Sequence, residues 1–222
     1  LMILSVDISS MEEKIKSIEP VVLGNSYQLK KGAFILAVGS PVGVSRSIDI
    51  GNITAIDKNA SFFDGYGRVI YCDKHLDSIG TFLLDTSGNL VGVVSNLDDS
   101  SSISMAYGIS DLKMLIENMT NGVGSSYLGV RALDIDKAKA PENIPNGVYV
   151  SEVRADSPAY NIGIQSGDII SKIGDEEVNS IIGFKNIMEK LKPNQVINIK
   201  VNRSGKDGFT ELDFETTIGA RS

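Results

Sequence analysis

Tyr127-Leu128-Gly129-Val130 opens the stretch whose reading decides the fold, just past the run Asn121-Gly122-Val123-Gly124-Ser125-Ser126. Gly147-Val148-Tyr149-Val150, Ser157-Pro158-Ala159 and Gly163-Ile164-Gln165-Ser166-Gly167-Asp168-Ile169-Ile170 follow in that order. Residues 184–191 then read as a helix, and residues 196–201 and 210–217 as strands. A short loop ending in Gly129 can turn several backbone N–H groups to one point, because glycine takes up dihedrals that other residues avoid. Such a cluster is a small anion site, suited to the terminal carboxylate of a peptide. The strand leaving Gly129 toward Ala132 is expected to offer an open edge, to which an extended peptide adds as a further strand. Phe184, Ile187, Met188 and Leu191 share one helical stripe by their three- and four-residue spacing. Taken alone, that stripe reads as core.

The order of these motifs resembles a PDZ domain of the type attached to bacterial proteases, over about ninety residues (127–217). The resemblance implies an α+β module that binds peptides. Tyr127, Leu128, Gly129 and Val130 would form the carboxylate-binding loop, and Ile187, Met188 and Leu191 would receive the last apolar side chain of the peptide.

Composition bounds the remaining choices. The chain has 222 residues, enough for one large domain or two ordinary ones. Its 42% apolar and 22% charged residues are those of a globular protein. No apolar run reaches membrane-span length, and the opening residues do not read as a signal peptide. A net charge of −7 and the lack of a basic block argue against nucleic acid as a partner. The single Cys72 excludes an internal disulfide and reads as a small buried hydrophobe.

Ahead of the Gly/Ser run the chain reads as many short strands. Residues 1–6 are apolar and read as a strand that starts without a cap or turn, so a preceding portion is expected to be absent. That strand is expected to pack against the following barrel or another chain. A charged connector covers residues 7–20. Strands are expected at 33–38, at 48–56 with a break at Gly51, at 69–72 and at 105–109. Residues 83–94 form a hairpin turning at Ser87-Gly88. Ser110 is expected to cap a helix over 111–119. Short strands closed by one helix suggest a small β-barrel. Residues 121–126 then read as a flexible linker between a first domain at 1–120 and a second at 127–222.

Ala37-Val38-Gly39-Ser40-Pro41-Val42-Gly43 resembles the A-I-G-N-P-F-G segment of HtrA/DegP-type serine proteases. Residues 89–94 resemble their G-E-L-I-G-I hairpin, and Tyr107-Gly108-Ile109-Ser110 their F-A-I-P before the closing helix. The resemblance implies a mainly β chain: the second β-barrel of a chymotrypsin-like protease domain, followed by the PDZ domain. It implies no cofactor. It also implies action outside the cytoplasm, at the cell surface, secreted or membrane-anchored, and homo-oligomers formed through an N-terminal region.

Protease chemistry of this kind needs a serine, a histidine base, an orienting acid and backbone donors for the oxyanion. In this family the acid and base precede the region matching residue 1. The G-N-S-G-G nucleophile motif should fall inside the chain, and it is altered. Counting back without a gap from Ser87-Gly88 lays it on Asp77-Ser78-Ile79-Gly80-Thr81, with Ile79 at the nucleophile position. Isoleucine has no oxygen to attack with. One inserted residue instead makes Ser78 the nucleophile, and then Leu76 and Ile79 replace two glycines. A β-branched residue tolerates badly the turn that aims N–H groups at an oxyanion. The ungapped register keeps the hairpin intact and is the preferred one.

His75, the one histidine, lies in the same loop and reads as a solvated loop residue. With Cys72, Asp73 and Asp77 it lacks the spacing of a metal site. Asp73 and Asp77 read as turn formers rather than a catalytic carboxylate pair. The expectation is therefore an inactive protease homologue whose PDZ domain binds C-terminal or unfolded peptide segments in protein quality control or as an adaptor. The alternatives are an active serine endopeptidase with Ser78 as nucleophile, and an assembly role with the groove unused.

Overall fold

A computed structural model describes residues 3–74, 76, 80–96 and 104–220. It divides into two compact units. The first comprises residues 1–60 and 67–121, and the second residues 61–66 and 122–222.

In the first unit, α1 (Glu13–Lys16) and a 3-10 turn (Ser26–Gln28) precede the strands. These are β1 (Phe34–Gly39), β2 (Ser47–Phe62), β3 (Gly65–Cys72), β4 (Phe82–Leu84), β5 (Leu90–Asn96) and β6 (Ser104–Gly108). They close a barrel in the order β1-β2-β3-β6-β5-β4, and α2 (Ile109–Thr120) follows. Alternation along β1 turns Ile35 and Ala37 inward, where Ile53, Ile70, Leu83 and Ala106 meet them. A second apolar cluster, Leu90, Val93 and Ile109, takes up Leu112 and Ile116 of α2.

Three expectations for this unit are corrected. Residues 3–7 form no strand, and Leu4 and Val6 are exposed, so this segment is not packed on the barrel. Hydrophobicity alone made it look like a strand, and no strand among the described residues pairs with it. β2 is not broken at Gly51 but runs on through it. Gly51 serves close approach: a Cβ there would sit 2.9 Å from Asp73 Oδ1, the atom that accepts the N–H of Asn52 at 2.8 Å. Finally, Ser110 is not the helix cap. Gly108 holds that position, and the Ser110 N–H donates to Ser26 Oγ at 3.1 Å while Ser26 N–H donates to Ser110 Oγ at 2.9 Å. A serine from a distant turn thus satisfies an open donor of the first helical turn.

At the β4–β5 turn, Asp85 accepts hydrogen bonds from Ser87 N–H, Asn89 N–H and Asn89 Nδ2. Burial alone would raise its pKa, but these bonds outweigh burial and lower it.

The second unit contains β7 (Ser126–Tyr127), β8 (Val130–Asp134), β9 (Val148–Val153), α3 (Pro158–Ile162) and β10 (Ile169–Ile173). β11 (Glu176–Glu177), α4 (Ile181–Lys190), β12 (Val196–Gly205), β13 (Gly208–Thr217) and β14 (Gly219–Ala220) complete it. The main sheet runs β13-β12-β10-β9-β8, with β11 on β10, and β7 pairs with β14. Ser126, expected to end a flexible linker, is instead part of β7, and its hydroxyl donates to the Met188 carbonyl. The core gathers Val130, Val148, Ile170, Phe184, Ile199 and Val201 between sheet and helices.

Asp168 is 1% exposed, and its two oxygens accept from Arg203 Nε at 2.7 Å and Nη2 at 2.8 Å. Gln165 N–H adds a third bond to it at 2.9 Å. Arg203 also donates to the Gly163 carbonyl, so one guanidinium locks the α3–β10 turn to β12. Its pKa is raised, chiefly by the hydrogen bond to Asp168. Removing it strands a buried carboxylate. Arg203→Ala is expected to destabilise the second unit by about 3 kcal/mol, read as a lower urea midpoint of the full chain. An unchanged midpoint would show that Asp168 is solvated without the arginine.

Candidate peptide-binding site

The site grows from the loop between β7 and β8. Gly129 has φ +88°, in the left-handed region, and a Cβ there would overlap the Cβ of Ser157. Glycine is required by both conformation and space. The carbonyls of Leu128 and Gly129 are already engaged, accepting from Ala159 N–H at 3.0 Å and Arg154 N–H at 2.9 Å. Ser157 caps α3 through a bond from Tyr160 N–H. With their carbonyls held elsewhere, Leu128, Gly129 and Val130 turn three consecutive N–H groups toward one point.

A carboxylate sits at that point. Asp64 Oδ1 accepts from Gly129 N–H at 2.8 Å and Val130 N–H at 3.1 Å. Its Oδ2 accepts from Leu128 N–H at 3.1 Å and Gly129 N–H at 3.0 Å. Asp64 N–H in turn donates to the Val130 carbonyl at 2.7 Å. Phe63 forms an antiparallel bridge with Arg131 of β8, and Ser61 Oγ donates to the Ala132 carbonyl at 2.6 Å. The guanidinium groups of Arg131 and Arg154 lie 5.0 and 5.8 Å from the centre of the Phe63 ring. Tyr66 packs against the core of the second unit, with Lys185 Nζ of α4 5.2 Å from its ring centre.

Of the residues read from the sequence, Leu128, Gly129 and Val130 come together at the carboxylate. Tyr127 lies in β7, paired with Gly219. Phe184, Ile187 and Met188 are buried in the core cluster, and Leu191, just past the end of α4, is partly buried against it. Residues 61–66 did not stand out in the sequence. Their signal was the pair Asp64-Gly65 between aromatic residues, the composition of a tight hairpin turn. Asp64 has φ +59°, a conformation that aspartate tolerates better than most residues.

His75, Asp77, Ser78 and Ile79 lie outside the described residues, so both readings of the nucleophile motif rest on sequence. On either side of them the backbone is held. Leu76 is buried and its N–H donates to Ser104 Oγ at 2.8 Å. Gly80, at φ +84°, donates to the Val94 carbonyl at 2.9 Å. Asp73 carries a lowered pKa, first because Asn52 N–H bonds to it and then through the Asn52 side chain. Cys72 is fully buried, and burial, with the Asp73 charge beside it, pushes its thiol up to about 12. No cluster among the described residues could hold a metal ion, and no described helix is long and apolar enough to cross a membrane.

Comparison with known proteins agrees with this architecture. Residues 126–214 match the PDZ domain family. The serine protease Do-like HtrA of Bacillus subtilis is 29% identical over 218 residues, covering 86% of this chain and 48% of that protein. A probable periplasmic serine endoprotease, DegP-like, of a Marinomonas species is 26% identical, covering 94% of this chain and 47% of its own length. Among solved structures, the HtrA-type protease AlgW with decapeptide is 26% identical with a TM-score of 0.58, covering 91% of this chain and 64% of that one. The serine endoprotease from Yersinia pestis, at 21% identity and a TM-score of 0.50, shares the fold. The chain spans about half the length of these curated relatives.

Fold and comparison thus define a mainly β chain in which a six-stranded barrel is followed by a PDZ domain. Over most of its length it is similar in sequence and fold to the HtrA/DegP serine proteases.

Two outcomes follow. Gly129→Ala is expected to cost about 2 kcal/mol through overpacking on Ser157, read by thermal unfolding. Cys72 is expected to resist thiol reagents at pH 8 in the native protein and to react on unfolding; fast native labelling would contradict its burial.

Proposed function

We propose that this chain acts by recognition: its PDZ domain captures peptide segments that end in a free carboxylate, while its protease-like barrel is catalytically silent. The observation that carries the reading is the cradle of three N–H groups at Leu128, Gly129 and Val130, which accommodates a carboxylate at 2.8 to 3.1 Å. Hydrogen bonds to a charged acceptor are the strong ones, and this cradle offers four to two oxygens. β8 supplies the antiparallel ladder for the residues before the carboxylate. Leu191 and the α4 side chains Ile187 and Met188 would form the wall that receives an apolar last side chain.

The silence of the barrel rests on Ile79, which in the ungapped register stands where a serine must attack. The relatives' names favour the rival reading, an active endopeptidase with Ser78 as nucleophile and its acid and base supplied from outside this stretch. Because relatives are described as periplasmic, we place this protein outside the cytoplasm, working on unfolded or C-terminal segments in quality control or as an adaptor. Homo-oligomerisation belongs to the same proposal.

The test has two arms. Fluorescein-labelled peptides ending in Val, Leu, Phe or Tyr are expected to bind at least about tenfold better as free acids than as C-terminal amides. Equal affinities would remove the carboxylate cradle from the mechanism. The protein as its host makes it is expected to show no covalent labelling by a fluorophosphonate probe. Labelling abolished by Ser78→Ala would establish the protease reading instead.

A further inference from the structure

Residues 61–66, where β2 ends and β3 begins, group with the second unit. They reproduce the contacts that a bound peptide end would make. Phe63 adds to the edge of β8 through an antiparallel bridge to Arg131. Asp64 N–H donates to the Val130 carbonyl, as the backbone of a terminal residue would. The Asp64 side chain, not a chain terminus, delivers the carboxylate, which fills the N–H cradle with four hydrogen bonds. An aromatic ring, Tyr66, packs against the core that α4 helps to build.

A hairpin turn does not require this. An Asp-Gly turn closes with its side chain in water as readily as in a cradle of amides. Here the left-handed Asp64 turns its carboxylate to the amides, and the guanidinium groups of Arg131 and Arg154 lie 5.0 and 5.8 Å from the centre of the preceding ring. One carboxylate cannot share the cradle with a second, since each would lack donors and the two charges would repel.

We propose that Ser61–Tyr66 is a built-in ligand of the PDZ groove, and that a peptide C-terminus binds by displacing Asp64 from the amides of Leu128, Gly129 and Val130. The proposal rests on the reading of this groove as a peptide site and adds its regulation. The site exists in a closed form, occupied from within, and an open form that accepts peptide. Apparent peptide affinity is then the intrinsic affinity reduced by the open fraction.

The experiment compares the full chain with its Asp64→Asn variant, using the same peptide panel in fluorescence polarisation. Amide hydrogen exchange at Leu128, Gly129 and Val130 is followed in parallel. The amide of asparagine cannot accept as a carboxylate does, so the variant is expected to bind free-acid peptides about tenfold more tightly and to exchange these three amides faster. Equal affinity in the two proteins would overturn the built-in ligand while leaving peptide recognition standing. Binding by neither protein would remove the recognition reading and this proposal with it.

A second variant covers the case in which Asp64→Asn does not fold. Phe63→Cys combined with Arg131→Cys places two thiols at bridge-paired positions, within the Cα spacing of about 4.4 to 6.8 Å that a disulfide needs. The oxidised form is expected to lose peptide binding at least about tenfold, and reduction to restore it. Peptide binding unchanged by oxidation would overturn the proposal.

Discussion

The left-handed backbone at Gly129 is the constraint on which the second unit's chemistry depends. At φ +88° and in contact with Ser157, this residue cannot carry a side chain. Two consequences follow from one dihedral. The carbonyls of Leu128 and Gly129 turn toward Ala159 and Arg154, which ties β8 to the start of α3. The N–H groups on the other side converge, and a convergent set of backbone donors has no partner within its own strand. Such groups cannot be left dry. A carboxylate is the acceptor best matched to them, because its two oxygens take up several donors at once and its charge complements their dipoles. The groove is therefore an anion site by construction, before any side chain contributes to specificity.

The same accounting explains why the stripe of α4 is not an open pocket in this structure. Phe184, Ile187 and Met188 lie in the core with Ile170, Ile199 and Val201. A ten-residue helix packed on a six-stranded sheet must bury one face to be stable at all. Leu191 sits where the helix ends, half out of that core. In the proposed complex the apolar end of a peptide would meet a surface whose main role is packing, with only its margin free to discriminate.

Much of the architecture could be read from the chain. Period-two alternation at Ile35 and Ala37, the Ser87-Gly88 turn and the glycine at 129 each have a local cause, and local causes are visible in sequence. What escaped reading depends on partners far away. Ser110 has the composition of a helix cap, yet its N–H is met by Ser26, which lies 84 residues earlier. Gly51 looked like a strand breaker, and its reason is Asp73, just past the end of the next strand, pressing against it. Asp64-Gly65 could be recognised as a turn, but nothing in its neighbourhood says that its carboxylate meets amides 64 residues on. Residues 3–6 went the other way: the apolar character of this segment suggested a strand, and strands exist only when a ladder completes them.

An internal carboxylate in an anion site also changes what the site can discriminate. Any exposed aspartate or glutamate on a passing protein offers the same two oxygens, so a bare cradle would select poorly. An intramolecular competitor raises the threshold, since it is present at an effective concentration that for short connections reaches about the millimolar range. A ligand that brings only a carboxylate gains nothing over Asp64, whose carboxylate already accepts four hydrogen bonds and whose neighbour Phe63 makes a ladder contact. A ligand that also buries an apolar side chain gains about 1.5 to 3 kcal/mol that the aspartate, with its single-carbon stem, does not supply. Displacement is then favoured for chain ends with an apolar last residue and disfavoured for surface carboxylates. Such ends are what unfolding and cleavage expose, so the competitor sharpens recognition by refusing the abundant weak ligand rather than by improving the contact with the right one.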